Sequence, residues 1–158
     1  VTAPRLATPA EAERLVDLHE ACWREAYADL LSPATIDRVF ADRPAAVARR
    51  RTHLADGAAP TWVVERDGER VGFATAGPPR HDEPPTDLEL RAIYARASVW
   101  GTGVGHDLLT AAVGARAAYL WVLAGNERAI GFYRRHGFGL DGAEEEHPEG
   151  RHLRMVRG

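Results

Sequence analysis

The chain has 158 residues and not one of them is lysine. That absence removes a Walker A lysine, a Schiff-base lysine and a lysine general base, and leaves arginine to carry the fixed positive side-chain charge. Cysteine is scarce too. Cys22 stands alone, so no intramolecular disulfide framework can form, and a reducing compartment suits the chain. Only Ser32 and Ser98 offer a serine hydroxyl, and no G-x-S-x-G elbow surrounds either. Basic excess is missing as well: 20 basic against 23 acidic side chains give a net charge of −3, and a pI near 6.2 lacks the footprint expected of a nucleic-acid partner. No apolar h-region follows Val1-Thr2-Ala3-Pro4-Arg5. The most apolar stretch, Leu108 to Gly125, is cut by Gly114 and Arg116, so it reads as two elements and not as a membrane span. Together these absences predict a cytoplasmic protein with no membrane partner. His147 and His152 lack the company of a recognisable zinc site, so no metal is expected.

What is present is an ordinary globular composition, 45% hydrophobic and 27% charged, long enough for one domain over residues 1–158. Thr8-Pro9-Ala10-Glu11 places a capping hydroxyl, a proline and an early acid before Leu15, Leu18, Cys22 and Ala26, which predicts a helix from about Pro9 to Leu30. Cys22, inside that apolar periodicity, reads as a small buried residue. Ser32-Pro33 starts a second helical stretch that breaks near Pro44 and resumes through Val47 to Leu54. Within it Arg49-Arg50-Arg51 reads as a solvated face. Thr61 to Arg66, Asp67-Gly68 and Arg70 to Ala74 form a hairpin signal. Pro78 to Pro85 reads as a loop, and Asp87 to Tyr94 alternates polar and apolar like a half-buried strand. Tyr119 to Leu123 is a continuous apolar run suited to a central strand. A helix opens at Asn126 and closes at Gly137. Phe138 to Leu140 and His152 to Val156 read as final strands, with Glu144-Glu145-Glu146 in a solvated loop between them.

Trp100-Gly101-Thr102-Gly103-Val104-Gly105 lies between the strand ending near Tyr94 and a helix through Leu108, Leu109 and Val113. Successive glycines let several N–H groups converge on one concavity, and a helix start adds unpaired donors and partial positive charge. That combination suits a phosphate or diphosphate, although a plain strand-to-helix turn would look similar. The glycines do not fit G-x-G-x-x-G, and the acid a Rossmann fold needs some twenty residues on falls within the apolar run at Leu120 to Leu123. A P-loop needs the missing lysine.

The block Glu89 to Ala95 followed by Trp100 to Leu109 resembles the R/Q-x-x-G-x-G/A motif of the GNAT superfamily of acetyl-CoA-dependent N-acetyltransferases. Leu120 to Leu123, Asn126, Arg128 to Ile130, Phe132-Tyr133 and His136 to Phe138 resemble that family's next motif, in the family's order and spacing. The resemblance covers Glu89 to Phe138 and departs at Trp100, where the family carries Gln or Arg. It implies an α/β (α+β) fold with a mixed, mostly antiparallel sheet of about six to seven strands flanked by helices and splayed between the strands at 87–95 and 119–124. It implies acetyl-CoA as cosubstrate and a small-molecule or peptide amine as acceptor, and it leaves a homodimer open.

The same resemblance assigns candidate roles. Gly101, Thr102, Gly103, Val104 and Gly105 would cradle the diphosphate, and Asn126 the pantetheine arm, a residue equally suited to capping its own helix. A backbone N–H of Ile93, Tyr94 or Ala95 would face the oxyanion. Tyr133 would protonate the departing sulfur, or else simply pack. Glu89 would take the amine proton, with pairing to Arg91 as its structural alternative, and His19 is the rival base. His19, Trp23 and Tyr27 share one helical face and would shape the acceptor pocket or form core. An acyl-CoA-binding or regulatory module with little turnover is the alternative function.

Overall fold

The computed structural model describes residues 1–158. Thr61–Arg66 (β2) and Glu69–Gly77 (β3) form the predicted hairpin, closed by Asp67 and Gly68 at φ of +54° and +81°. Two positive φ values match the right-handed twist of the flanking strands. A short strand not anticipated from the sequence, Arg5–Leu6 (β1), lies antiparallel on the outer edge of β2. Glu89–Ala95 (β4), Ala118–Leu123 (β5), Gly139–His147 (β6) and Gly150–Arg157 (β7) complete a seven-stranded sheet in the order β1-β2-β3-β4-β5-β7-β6. Every pairing is antiparallel except β4 with β5.

That parallel pairing consists of Glu89 opposite Tyr119, supported by the Tyr119 N–H donating to the Leu88 carbonyl at 3.0 Å. Beyond it the strands part, so the splay expected between 87–95 and 119–124 is present. Its local cause lies in β4. Thr75 pairs with Ala92 and Ala76 with Leu90, which leaves Arg91 as an extra, bulged residue. A bulge bends its strand and sharpens the twist, and this one falls immediately after the last contact with β5.

The helices occupy both faces. A 3₁₀ turn at Pro9–Glu11 leads into Ala12–Ala26 (α1), which stops one turn short of the predicted Leu30 because the chain tightens at Tyr27, whose carbonyl accepts from Leu30 and Leu31. Pro33–Val39 (α2) is capped by the Ser32 hydroxyl, which accepts from the Thr35 N–H at 3.1 Å. In Arg43–Asp56 (α3), Pro44 does not break a helix but occupies the first turn, after the Asp42 carboxylate accepts from the Ala45 N–H. Leu15, Leu18 and Cys22 of α1 pack on Val63 and Phe73. Alternate residues of the same strands, Val64 and Ala74, face the opposite side and meet Leu108 and Leu109 of Val104–Ala112 (α4). Glu127–Arg135 (α5) joins α4 on that side through Ile130 and Tyr133.

Two surface readings need correction. Glu144, Glu145 and Glu146 lie in β6, opposite Leu153, His152 and Arg151, and not in a loop. As β6 is the sheet edge, its backbone pairs on one side while its carboxylates stay in water, a charge pattern that discourages further strand addition. Arg50 leaves the solvated face predicted for 49–51 and lies 5.3 Å from the centroid of the Phe73 ring. No helix is long and apolar enough to cross a membrane.

Candidate active site

Where β4 and β5 diverge, a cavity of about 510 Å³ opens between them. Its wall includes Gly101, Gly103, Gly105 and His106 of the glycine turn and also Tyr27 and Trp121. Gly101 and Gly103 adopt φ of +73° and +95°, which is why L side chains are absent there. Their N–H groups find no partner within the chain, and the N–H groups that begin α4 have none by construction. Thr102 and Val104 do not line the cavity: the Thr102 hydroxyl donates to the Val99 carbonyl at 2.6 Å and the Val104 side chain is buried. The Thr102 N–H also donates to the Val99 carbonyl, at 3.4 Å, so of the two only Val104 offers the turn a free main-chain donor.

The free edge of β4 supplies the middle of the cavity. Ala95 accepts through its carbonyl from the Trp100 indole N–H at 2.9 Å, whereas the next residue, Arg96, donates to Val71 across β3 at 2.8 Å. Backbone groups alternate edges along a strand, so Ala95 and Ile93 present theirs to the gap and Tyr94 turns its own toward β3. Of the three oxyanion donors considered from sequence, Ile93 and Ala95 have the required direction. The Tyr94 side chain instead points to the α1 face, where its hydroxyl meets that of Tyr27 at 3.1 Å.

Tyr133 projects from α5 into the same cavity. It is 8% exposed, and burial holds its phenol above the ordinary tyrosine range, so it is neutral near pH 7 and no side chain of the protein hydrogen-bonds it. Asn126 does two things at once: its side-chain oxygen accepts from the Ala129 N–H at 3.3 Å, capping α5, and the residue borders the cavity.

The two expected bases are placed otherwise. Glu89 is 1% exposed and absent from the cavity wall. Its carboxylate accepts from the Arg80 N–H at 3.0 Å, Nε at 3.2 Å and Nη2 at 2.8 Å, from the loop over 78–85. Although burial alone would raise its pKa, the Arg80 bonds and charge more than offset this and hold it below the usual carboxylate range. An anion already held by a guanidinium, with its pKa lowered, is a poor proton acceptor. Arg91, the partner considered from sequence, donates instead to the Pro78 carbonyl at 2.6 Å.

His19 is packed away from the cavity, with the rings of Trp23, Phe40, Phe73 and Tyr94 within 5.9 Å of its own. Trp23 Nε1 donates to its Nε2 at 3.0 Å while Arg50 Nη2 approaches its Nδ1 at 3.1 Å. A neutral imidazole can accept one of these and a protonated one neither. Burial, then the Arg50 charge, push its pKa down to about 3. Of the expected aromatic stripe only Tyr27 reaches the cavity; Trp23 packs edge-on against it at 4.9 Å, and His19 lies behind Trp23. Because the folded state excludes a proton that the unfolded chain binds below about 6.5, His19 contributes stability that is complete above pH 6.5 and lost as pH falls toward 3. The effect is on the order of a few kcal/mol. Denaturant titrations of His19→Phe are expected to show a shallower loss of stability over that window than the wild type; equal slopes would contradict the neutral assignment.

Sequence reasoning missed Arg80 and Arg128. Arg80 sits in a proline-rich loop with no motif to mark it. Arg128 had a signal in its place in the first turn of α5, the end of that helix which lines the cavity with Asn126 and Ala129.

Comparison with known proteins agrees with this geometry. The family model described as acetyltransferase (GNAT) family matches residues 12–138. A probable N-acetyltransferase of Mycobacterium tuberculosis is 25% identical over 141 residues, covering 87% of this chain and 80% of that protein. The crystal structure of PaiA N-acetyltransferase from Thermoplasma acidophilum in complex with coenzyme A superposes with a TM-score of 0.76 at 17% identity, covering 98% of this chain and 96% of that one. Ribosomal-protein-alanine N-acetyltransferase from Brucella melitensis superposes with a TM-score of 0.70 at 23% identity, over 99% of each chain.

Proposed function

We propose that this chain, which belongs to the acetyltransferase (GNAT) family, acetylates a primary amine by direct attack of its nitrogen on acetyl-CoA, without an acyl-enzyme. The observation that carries the reading is one cavity joining three things: unpaired N–H groups at Gly101, Gly103 and the start of α4, the free edge of β4, and a neutral Tyr133 phenol. Acetyl-CoA supplies the activated thioester; the fit rests on a donor-lined anion cradle opening into an elongated gap between strands, and a relative of the same fold is described in complex with coenzyme A.

Each residue then has a role set by its position. Main-chain N–H groups of the glycine turn hold the diphosphate, with the α4 N-terminus adding partial positive charge. Asn126 and the free edge of β4 hold the pantetheine amides. The Ile93 or Ala95 N–H, a preorganised donor, stabilises negative charge on the carbonyl oxygen. The Tyr133 hydroxyl gives its proton to the departing sulfur. A covalent intermediate is disfavoured because the nucleophiles are elsewhere: Cys22 is fully buried with a thiol pKa pushed up to about 12, and neither serine lines the cavity. With Glu89 and His19 both removed from the gap, the amine releases its proton to solvent. Tyr27, backed by Trp23, walls the acceptor side with Trp121, and the acceptor is a small-molecule or peptide amine.

Thiol release from acetyl-CoA across a panel of amines, with mass spectrometry of the product, tests the reading. Release together with an acetylated amine is expected. A clear thermal shift with CoA but no release for any amine would favour a binding module instead. A Glu89→Gln variant is expected to keep the acidic limb of the wild-type pH–rate profile while its Tm falls by several degrees, since Arg80 loses its charged partner. A flattened limb would return the base to Glu89.

A further inference from the structure

Trp100 stands where the motif it resembles carries Gln or Arg, so the glycine turn lacks its usual side-chain donor. The indole cannot stand in, because its one N–H is committed to the Ala95 carbonyl. The ring, however, is covered. Arg128 reaches from the first turn of α5, on the β5 bank of the gap, to the β4 bank, and its guanidinium carbon lies 3.7 Å from the centroid of the Trp100 ring. Both residues line the cavity.

Arg128 has no carboxylate partner and no hydrogen bond within the chain, and desolvation lowers its pKa from the ordinary arginine value. Of the other arginines on the cavity wall, Arg91 is bonded to the Pro78 carbonyl, and Arg135 folds back along α5, its Nη1 3.6 Å from a Cβ built at Gly131, with no aromatic ring to hold it. A guanidinium lying over an aromatic ring engages it through its π face and leaves its N–H groups to bond phosphate. The ring also holds the side chain in place before any ligand arrives, which reduces the ordering cost of binding.

We propose that Arg128, held on Trp100, is the cation that clamps the diphosphate of coenzyme A in this chain, supplying from α5 the charge that the motif position at 100 has lost. The proposal rests on the placement of CoA given above, but it concerns binding and not turnover, so the two can fail separately.

The test is the Kd of CoA and of pantetheine, which lacks the diphosphate, measured calorimetrically for wild type, Arg128→Met and Trp100→Arg/Arg128→Met. Arg128→Met is expected to raise the Kd for CoA at least tenfold and to leave that for pantetheine within twofold. Returning a cation at position 100 is expected to recover most of the loss. A CoA Kd within twofold of wild type in Arg128→Met, or an equal loss for pantetheine, overturns the proposal. So does a double variant with wild-type Tm that binds CoA no better than the single one. Neither Kd depends on catalysis, so finding no acetylated amine would count against the enzymatic reading alone.

Discussion

Tyr133→Phe is expected to lower kcat about 100-fold while the Kd for CoA changes by less than twofold. The magnitude follows from the leaving group. A thiolate comparable to cysteine, with a pKa of about 8.5, can depart without help but does so faster when protonated as the bond breaks, and general acids of this kind contribute roughly 10²- to 10⁴-fold. The low end applies because the leaving group is already fairly stable. The phenol suits this role because burial keeps it neutral and its hydroxyl is not engaged by any neighbouring side chain. Removing one oxygen leaves the ring in its contacts with Phe132 and Phe138, whose centroids lie 5.5 and 6.0 Å away, so stability is expected to hold. An effect on kcat and not on binding identifies a group that acts only in the transition state. Unchanged kcat would make Tyr133 a packing residue.

Gly103→Val is expected to do the reverse, raising the Kd for CoA at least tenfold with a smaller effect on kcat at saturating acetyl-CoA. At φ of +95° a β-branched residue is strained, and the strain is relieved by rotating the Gly103 and Val104 peptides. Those peptides carry the N–H groups proposed to hold the diphosphate. Nothing lies within 4 Å of a Cβ built there, so the loss comes from backbone conformation and not from a collision inside the protein. A Tm lower by a few degrees is expected alongside. Wild-type affinity in Gly103→Val would mean that the turn does not bind the nucleotide.

Much of this architecture was legible because local and global signals agree. Asp67-Gly68 required positive φ at both positions and has it, and the apolar run at Tyr119 to Leu123 became a central strand. The glycine turn and Asn126 were visible because each has a backbone reason to be where it is, a left-handed conformation in one case and a helix cap in the other. What the sequence concealed depends on pairing between distant segments. Glu89 has the chemistry of a base, but a loop nine residues upstream folds back so that Arg80 covers it. His19 has an ordinary imidazole, but burial under α3, with Arg50 turned inward beside it, keeps it neutral. The acidic run at 144–146 reads as loop by composition and is a strand because an edge needs backbone partners on one side only. Arg128 was part of a recognised motif without a role of its own until its stacking on Trp100 was seen.

The most direct test is a crystal structure of this protein with coenzyme A. The account places diphosphate oxygens within hydrogen-bond distance of main-chain N–H groups between Gly101 and Gly105, and the sulfur within reach of the Tyr133 hydroxyl. A nucleotide bound away from that turn, or a sulfur pointing elsewhere, would contradict it.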